Sequence, residues 1–138
     1  MRYNWNSEDV EDHGGVGAVI KNSKGQILML DHVKLGLWTI PIGKVKKGQT
    51  HLQALIEEVY EETGLTVTSA TQKLRKKFTY TRNGKNVNID TIIYEATTTG
   101  TAINLEPQKH RDLKWMTLAK IKKLPKLGDA LKAYLKRI

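Results

Sequence analysis

Cysteine is absent from the 138-residue chain, which excludes disulfides, thiolate nucleophiles and Cys-based zinc sites. The metal ligands that remain are carboxylates, histidines and main-chain carbonyls, a set suited to a hard cation such as Mg²⁺. Long apolar runs are missing too. None approaches the ~18 residues needed to span a bilayer, so no membrane partner is expected. The opening residues Met1-Arg2-Tyr3-Asn4-Trp5-Asn6 have no apolar stretch behind their charge, so neither an anchor nor a signal peptide is expected and the chain is read as soluble and cytoplasmic. Negative charge is comparatively scarce: Lys and Arg total 23 against 14 Asp and Glu, a net charge of +9. Such a surface draws phosphate-bearing partners, among them RNA, nucleotides and inositol polyphosphates, although scattered lysines also serve solubility. No internal repeat, low-complexity segment or linker interrupts the sequence, so one domain over residues 1–138 is expected, with the oligomeric state open.

What is present reads as mixed strands and helices. Gly14 to Ile20 and Gln26 to Leu30 have the composition of buried strands, and the turn-rich Lys21-Asn22-Ser23-Lys24-Gly25 between them predicts a hairpin. A strand-like Leu37-Trp38-Thr39-Ile40 stops at Pro41, and a Gly- and Lys-bearing loop follows from Gly43 to Gln49. Thr50 as N-cap and Gly64 as terminator bound a helix over residues 51–63. Thr66 to Tyr80 and Asn86 to Thr97 read as strands joined at Arg82-Asn83-Gly84-Lys85, whose Asn-Gly pair favours a tight hairpin. A short strand at Leu113 to Met116 and an amphipathic helix from Leu127 to Ile138 complete the chain, while the first dozen residues are polar enough to be loosely held.

The chemistry concentrates in the 51–63 helix. At ~100° per residue, Glu58, Glu61 and Glu62 share one face, and Leu52, Leu55 and Val59 form an adjoining apolar stripe. Burial of that stripe against a sheet predicts carboxylates along its border, near the Gly43 loop. Like charges at these spacings each cost a few tenths of a kcal/mol, roughly, on an exposed helix. A divalent cation offsets that repulsion, and glutamates with a loop carbonyl are the oxygen ligands that Mg²⁺ or Mn²⁺ takes. Taken alone, an acidic run is more often the solvated face of a surface helix.

The spacing of this segment resembles the Nudix box: Gly, five residues, Glu, seven residues, Arg-Glu, an aliphatic, any residue, Glu-Glu, any residue, Gly and an aliphatic. Gly43, Glu58, Val59, Glu61, Glu62, Gly64 and Leu65 stand as the pattern has them, while Gln49 replaces its first Glu and Glu57 its Arg. The likeness extends over roughly residues 14 to 124, through Gly15 to Ile20, Ile27 to Leu30, Leu37 to Pro41 and Asn104 to Lys109. It implies an α/β/α sandwich with a mixed sheet. It also implies hydrolysis of a phosphoanhydride in a nucleoside diphosphate linked to another group, with a 5′ RNA end among the possible substrates. Metal would be bound by the Gly43 carbonyl, Glu61 and Glu62, with Glu58 as a further ligand or the general base. Glu106 is a further candidate ligand, equally readable as a solvated loop acid.

In the family, the two altered positions form a charged pair that holds the loop to the helix. Here an amide donor at Gln49 facing a Glu57 carboxylate would substitute a charge-assisted hydrogen bond. The alternative is a fourth negative charge on the metal face. Ile42, where the family often has Gly, would stiffen the loop. An active hydrolase, a module that senses a nucleotide or polyphosphate without cutting it, and nucleic-acid binding by the C-terminal lysines (Lys120, Lys122, Lys123, Lys126, Lys132, Lys136) are the competing readings. Trp38 and Trp115 are read mainly as packing residues, and His51 and His110 as surface residues without a catalytic role.

Overall fold

The computed structural model describes residues 14–82 and 84–138. Among the described residues, seven strands and three helices follow in the order β1 (Gly15–Ile20), β2 (Ile27–His32), β3 (Leu37–Thr39), β4 (Ile42–Lys44), α1 (His51–Thr63), β5 (Thr66–Arg82), β6 (Lys85–Thr99), β7 (His110–Met116), α2 (Leu118–Lys122) and α3 (Asp129–Leu135). One sheet has the order β4-β1-β6-β5 and is mixed, because β1 runs parallel to β6 and antiparallel to β4. The second, β3-β2-β7, is antiparallel. The expected looseness of the first dozen residues and the Asn83 half of the Asn-Gly turn lie outside the described residues. Gly84 adopts φ 76°, the left-handed conformation that such turns require.

Alternation along the strands divides the core into two clusters, one on each side of the sheets. Val16, Ala18 and Ile20 of β1 and Ile92, Tyr94 and Ala96 of β6 pack with Ala54, Leu55 and Val59 of α1. Val19 and Ile93 pack instead with Ile121 of α2 and with Leu131 and Tyr134 of α3. Helices therefore cover both faces, giving the expected α/β/α sandwich with a mixed sheet. No helix among the described residues is long and apolar enough to cross a membrane.

Several local expectations need correction. The first two strands do not form a hairpin: after a single bridge between Lys21 and Ile27 they part into different sheets. The predicted turn is present, with Gly25 N donating to Asn22 O and Asn22 N to Gln26 O, each at 3.0 Å. Both edges of β1 are already occupied, by β4 and by β6, so no edge is left for β2. The Gly43 loop begins two residues later than predicted, at Val45, since Gly43 and Lys44 belong to β4. The helix expected from Leu127 to Ile138 is present as the shorter α3, the separate α2 precedes it, and the C-terminal lysines are spread over both helices, the segment between them and the end of α3.

The α3 side is tied to the sheet by the Tyr134 hydroxyl, which donates to Glu95 Oε2 at 2.5 Å. Lys21 and Lys73 flank the same carboxylate at 3.8 and 3.6 Å. The Tyr134 hydrogen bond, ahead of the lysines, holds the Glu95 carboxyl below its ordinary 4.5. Burial, reinforced by that carboxylate, pushes the Tyr134 phenol up. Tyr134→Phe is expected to cost about 1–2 kcal/mol in urea unfolding at pH 7. Because the folded carboxylate pKa is depressed, this contribution is complete above the unfolded value and fades as pH falls below about 4.5 through the folded value, so wild type and variant should converge in acid.

Candidate functional site

Helix α1 is specified at both ends by local chemistry. Thr50 has extended backbone, its Oγ1 accepts from Gln53 N at 3.1 Å, and Gln53 Oε1 accepts from Thr50 N at 2.9 Å, a reciprocal capping box. At the other end Gly64, at φ 73°, donates its N–H to Tyr60 O. The span His51–Thr63 is the one the caps predict.

The buried arc comprises Ala54, Leu55, Glu58, Val59, Glu62 and Thr63. Leu52, expected in the apolar stripe, is exposed and lines up with exposed Ile56 and Tyr60. Projected at ~100° per residue, Leu52 falls at the margin of the arc, whereas Glu58 and Glu62 fall near its centre. The carboxylates are therefore not a border. Glu58 is 2% and Glu62 1% exposed, with Glu61 half-buried at the margin. Carboxylates at that depth persist only when they are hydrogen-bonded, paired or metal-bound.

Pairing of β4 with β1, which sets Gly43 opposite Val16, carries the Gly43 main chain to the Glu58 side chain. A methyl group placed on Gly43 would lie 2.2 Å from both Cγ and Cδ of Glu58 and 2.6 Å from its Oε2. Glycine is needed here for space. Its absent side chain leaves the slot in which the Glu58 carboxylate rests.

Glu62 faces a histidine. Its Oε2 lies 3.8 Å from Nε2 of His110, and both side chains are buried. His110 is thus no surface residue, and no local signal marks it, since the contact joins β7 to a helix far earlier in the chain. The His110 ring meets His32 edge to face, with centroids 5.5 Å apart. His32 Nδ1 accepts from Leu35 N, and burial, with lesser help from nearby positive charge, pushes His32 down to about 3, so it is neutral at physiological pH. The loop before β7 is fastened to the end of α1 by Ile103 N to Thr63 O at 2.8 Å and Leu105 N to Glu62 O at 3.3 Å. That loop carries Glu106, whose carboxylate is paired with Lys109 Nζ at 3.1 Å. Among the described residues, no three His, Asp or Glu side chains converge closely enough to enclose a metal ion. The structure therefore brings Gly43 to Glu58 and Glu62 to His110, but does not draw Glu58, Glu61, Glu62 and Glu106 to one point. The donors along this face are oxygens, which fits a hard divalent cation.

Outside this face, the altered positions meet. Gln49 Nε2 donates to Glu57 Oε2 at 2.7 Å, while Gln49 Oε1 accepts from Lys46 N at 2.9 Å. Lys46 Nζ donates to the other oxygen of Glu57. The Lys46 contact, more than the Gln49 amide, lowers the Glu57 pKa. Lys46 was not singled out from the sequence, although it stands three residues before Gln49 across a turn through Gly48 at φ 84°. Elsewhere, Trp38 packs against the α3-side core and Trp115 against the α1-side core. His51 Nε2 lies 3.1 Å from Asp90 O.

Comparison with known proteins agrees with the fold and with the motif. The NUDIX domain family profile matches residues 11–137. The crystal structure of a MutT NUDIX hydrolase from Burkholderia pseudomallei superposes with a TM-score of 0.77 at 28% identity, covering 90% of this chain and 95% of that one. The NUDIX domain of Shewanella oneidensis NrtR, solved with ADP ribose, superposes with a TM-score of 0.71 at 19% identity over 99% and 96% of the two chains, a likeness of fold. In sequence, an RNA pyrophosphohydrolase of Mannheimia succiniciproducens is 45% identical over 51 residues, which is 37% of this chain and 26% of that protein. The match to this relative is thus confined to about a quarter of its length.

Proposed function

The chain belongs to the NUDIX domain family, and from that premise we propose that it hydrolyses a phosphoanhydride bond in a nucleoside diphosphate linked to another group, using Mg²⁺ or Mn²⁺. The observation that carries this reading is the seating of the buried Glu58 carboxylate in the slot left by Gly43. That contact puts the loop main chain and a box glutamate side by side, as a shared metal and reaction centre requires. The Gly43 carbonyl, Glu58, Glu61 and Glu62 would hold the cation, with Glu106 as a further carboxylate if it exchanges Lys109 for the site. Bound there, a divalent cation supplies charge neutralisation on the diphosphate and acidification of water. Glu58 then accepts the proton of the attacking water, a new P–O bond forms, and the bridging P–O bond breaks as the second phosphate leaves with its electron pair. The net charge of +9 favours strongly anionic substrates, including triphosphorylated 5′ RNA ends, in a cytoplasmic setting.

The reading is tested with a panel of nucleoside triphosphates, nucleotide sugars, ADP-ribose, dinucleoside polyphosphates and 5′-triphosphorylated RNA, each with Mg²⁺ and with Mn²⁺. At least one should turn over well above a Glu58→Gln/Glu61→Gln control. Rates equal to that control throughout would defeat it. Gln49 and Glu57 favour a second reading, a module that binds a nucleotide or polyphosphate without cutting it. It predicts calorimetric affinity with intact ligand recovered afterwards.

A further inference from the structure

The loop between β4 and α1 is held to the helix by three side chains with opposite electrical sense to the family pair. A glutamate at position 49 could accept from Lys46 N but has no proton to offer Glu57, because an ionised carboxylate is an acceptor only. Gln49 does both: its carbonyl closes the Lys46-to-Gln49 turn, which Gln49 N also closes onto Lys46 O at 2.9 Å, and its amide reaches Glu57. The positive charge that this pattern lacks on the helix is found in the loop, on Lys46. Three residues earlier the same strand end presents Gly43 to Glu58, the next residue of the helix after Glu57.

We propose that Lys46 is a positioning residue: with Gln49 it grips Glu57 in a charge-reversed clamp that fixes the loop on α1 and so holds Gly43 against Glu58 for metal binding. The proposal rests on the reading that the α1 glutamates bind a divalent cation. Glu57 is by this means directed to the loop, with Glu61 of the next turn beside it. Lys46 makes its contact through Glu57, and its charge also acts on Glu61 and Glu58, so its effect passes through geometry and charge placement.

The test is Mn²⁺ affinity, followed by the electron paramagnetic resonance signal of the free ion, with thermal unfolding recorded for each variant. Lys46→Met is expected to weaken Mn²⁺ binding about 10-fold, the scale at which loss of a supporting partner around a metal site is felt. Lys46→Arg keeps the charge and should stay near wild type. The reversal Lys46→Glu/Glu57→Lys should recover part of the lost affinity, because it restores the ion pair, although Gln49 cannot turn its carbonyl to position 57 and still accept from the N–H of position 46. A purely structural lysine would not be rescued by reversing both charges. Unchanged affinity in a folded Lys46→Met, or a folded double variant no better than Lys46→Met, overturns the clamp while leaving the metal reading intact. Absence of Mn²⁺ binding by the wild type overturns the metal reading, and the proposal with it.

Discussion

Gly43→Ala is expected to lower kcat about 100-fold, the loss that follows when a reacting group is displaced by roughly 1 Å. The added methyl carbon would stand 2.2 Å from two carbons of the Glu58 side chain, well inside any tolerable contact. Glu58 is held in α1 between Leu55 and Glu62 on the buried face, so it cannot retreat by an easy rotation into solvent. Either the carboxylate leaves its slot or β4 moves off β1, and each outcome separates the loop carbonyl from the glutamate. Overpacking of this kind also costs about 1–3 kcal/mol of stability, which urea unfolding measures beside the kinetics. Mn²⁺ affinity should fall with kcat. A Gly43→Ala enzyme within threefold of wild type would mean that the Gly43 to Glu58 contact is incidental to catalysis.

Glu58→Gln keeps the shape of the side chain and removes its charge and basicity. As the residue assigned to take the proton from water, it should lose about 10²–10⁴-fold in kcat/KM. Stability should move differently. Neutralising a buried carboxylate relieves its desolvation and the repulsion from like charges on adjacent turns, which offsets the loss of the partner that holds it, so the metal-free variant should unfold within about 1 kcal/mol of wild type. Activity and stability thus separate in this variant, whereas both fall in Gly43→Ala. A Glu58→Gln protein that unfolds markedly earlier would identify the carboxylate as a structural anchor instead.

Features encoded by local chemistry were legible in the sequence, and features made by distant chain crossings were not. The α1 span follows from Thr50 and Gly64, whose capping acts within a few residues. The β5 and β6 hairpin follows from strand composition and its turn. Partnership of β1 with β6 has no such signature, because strands buried on both faces carry continuous apolar runs that leave their neighbours unspecified. The same limit explains the mistaken β1 and β2 hairpin. At the site, the family spacing singled out Gly43, Glu58, Glu61 and Glu62. The depth of Glu58 and Glu62 was not foreseen, since a carboxylate near the centre of a buried arc contradicts hydrophobic patterning. Lys46 was hidden for a different reason: one lysine in a lysine-bearing loop looks like its neighbours until Glu57 is seen beside it. His110 required the fold of β7 against α1 before its place next to Glu62 could be read.

The central claim is that the Glu58, Glu61 and Glu62 face performs cation-dependent hydrolysis of a phosphoanhydride. It is tested most directly by incubating the wild-type protein with the substrate panel and Mg²⁺, with and without a chelator, and identifying the products by chromatography. The account predicts that at least one substrate is split into two phosphate-bearing products, that the chelator stops the reaction, and that Glu58→Gln nearly abolishes it. Quantitative recovery of every ligand intact, in the presence of Mg²⁺ or Mn²⁺, would contradict it.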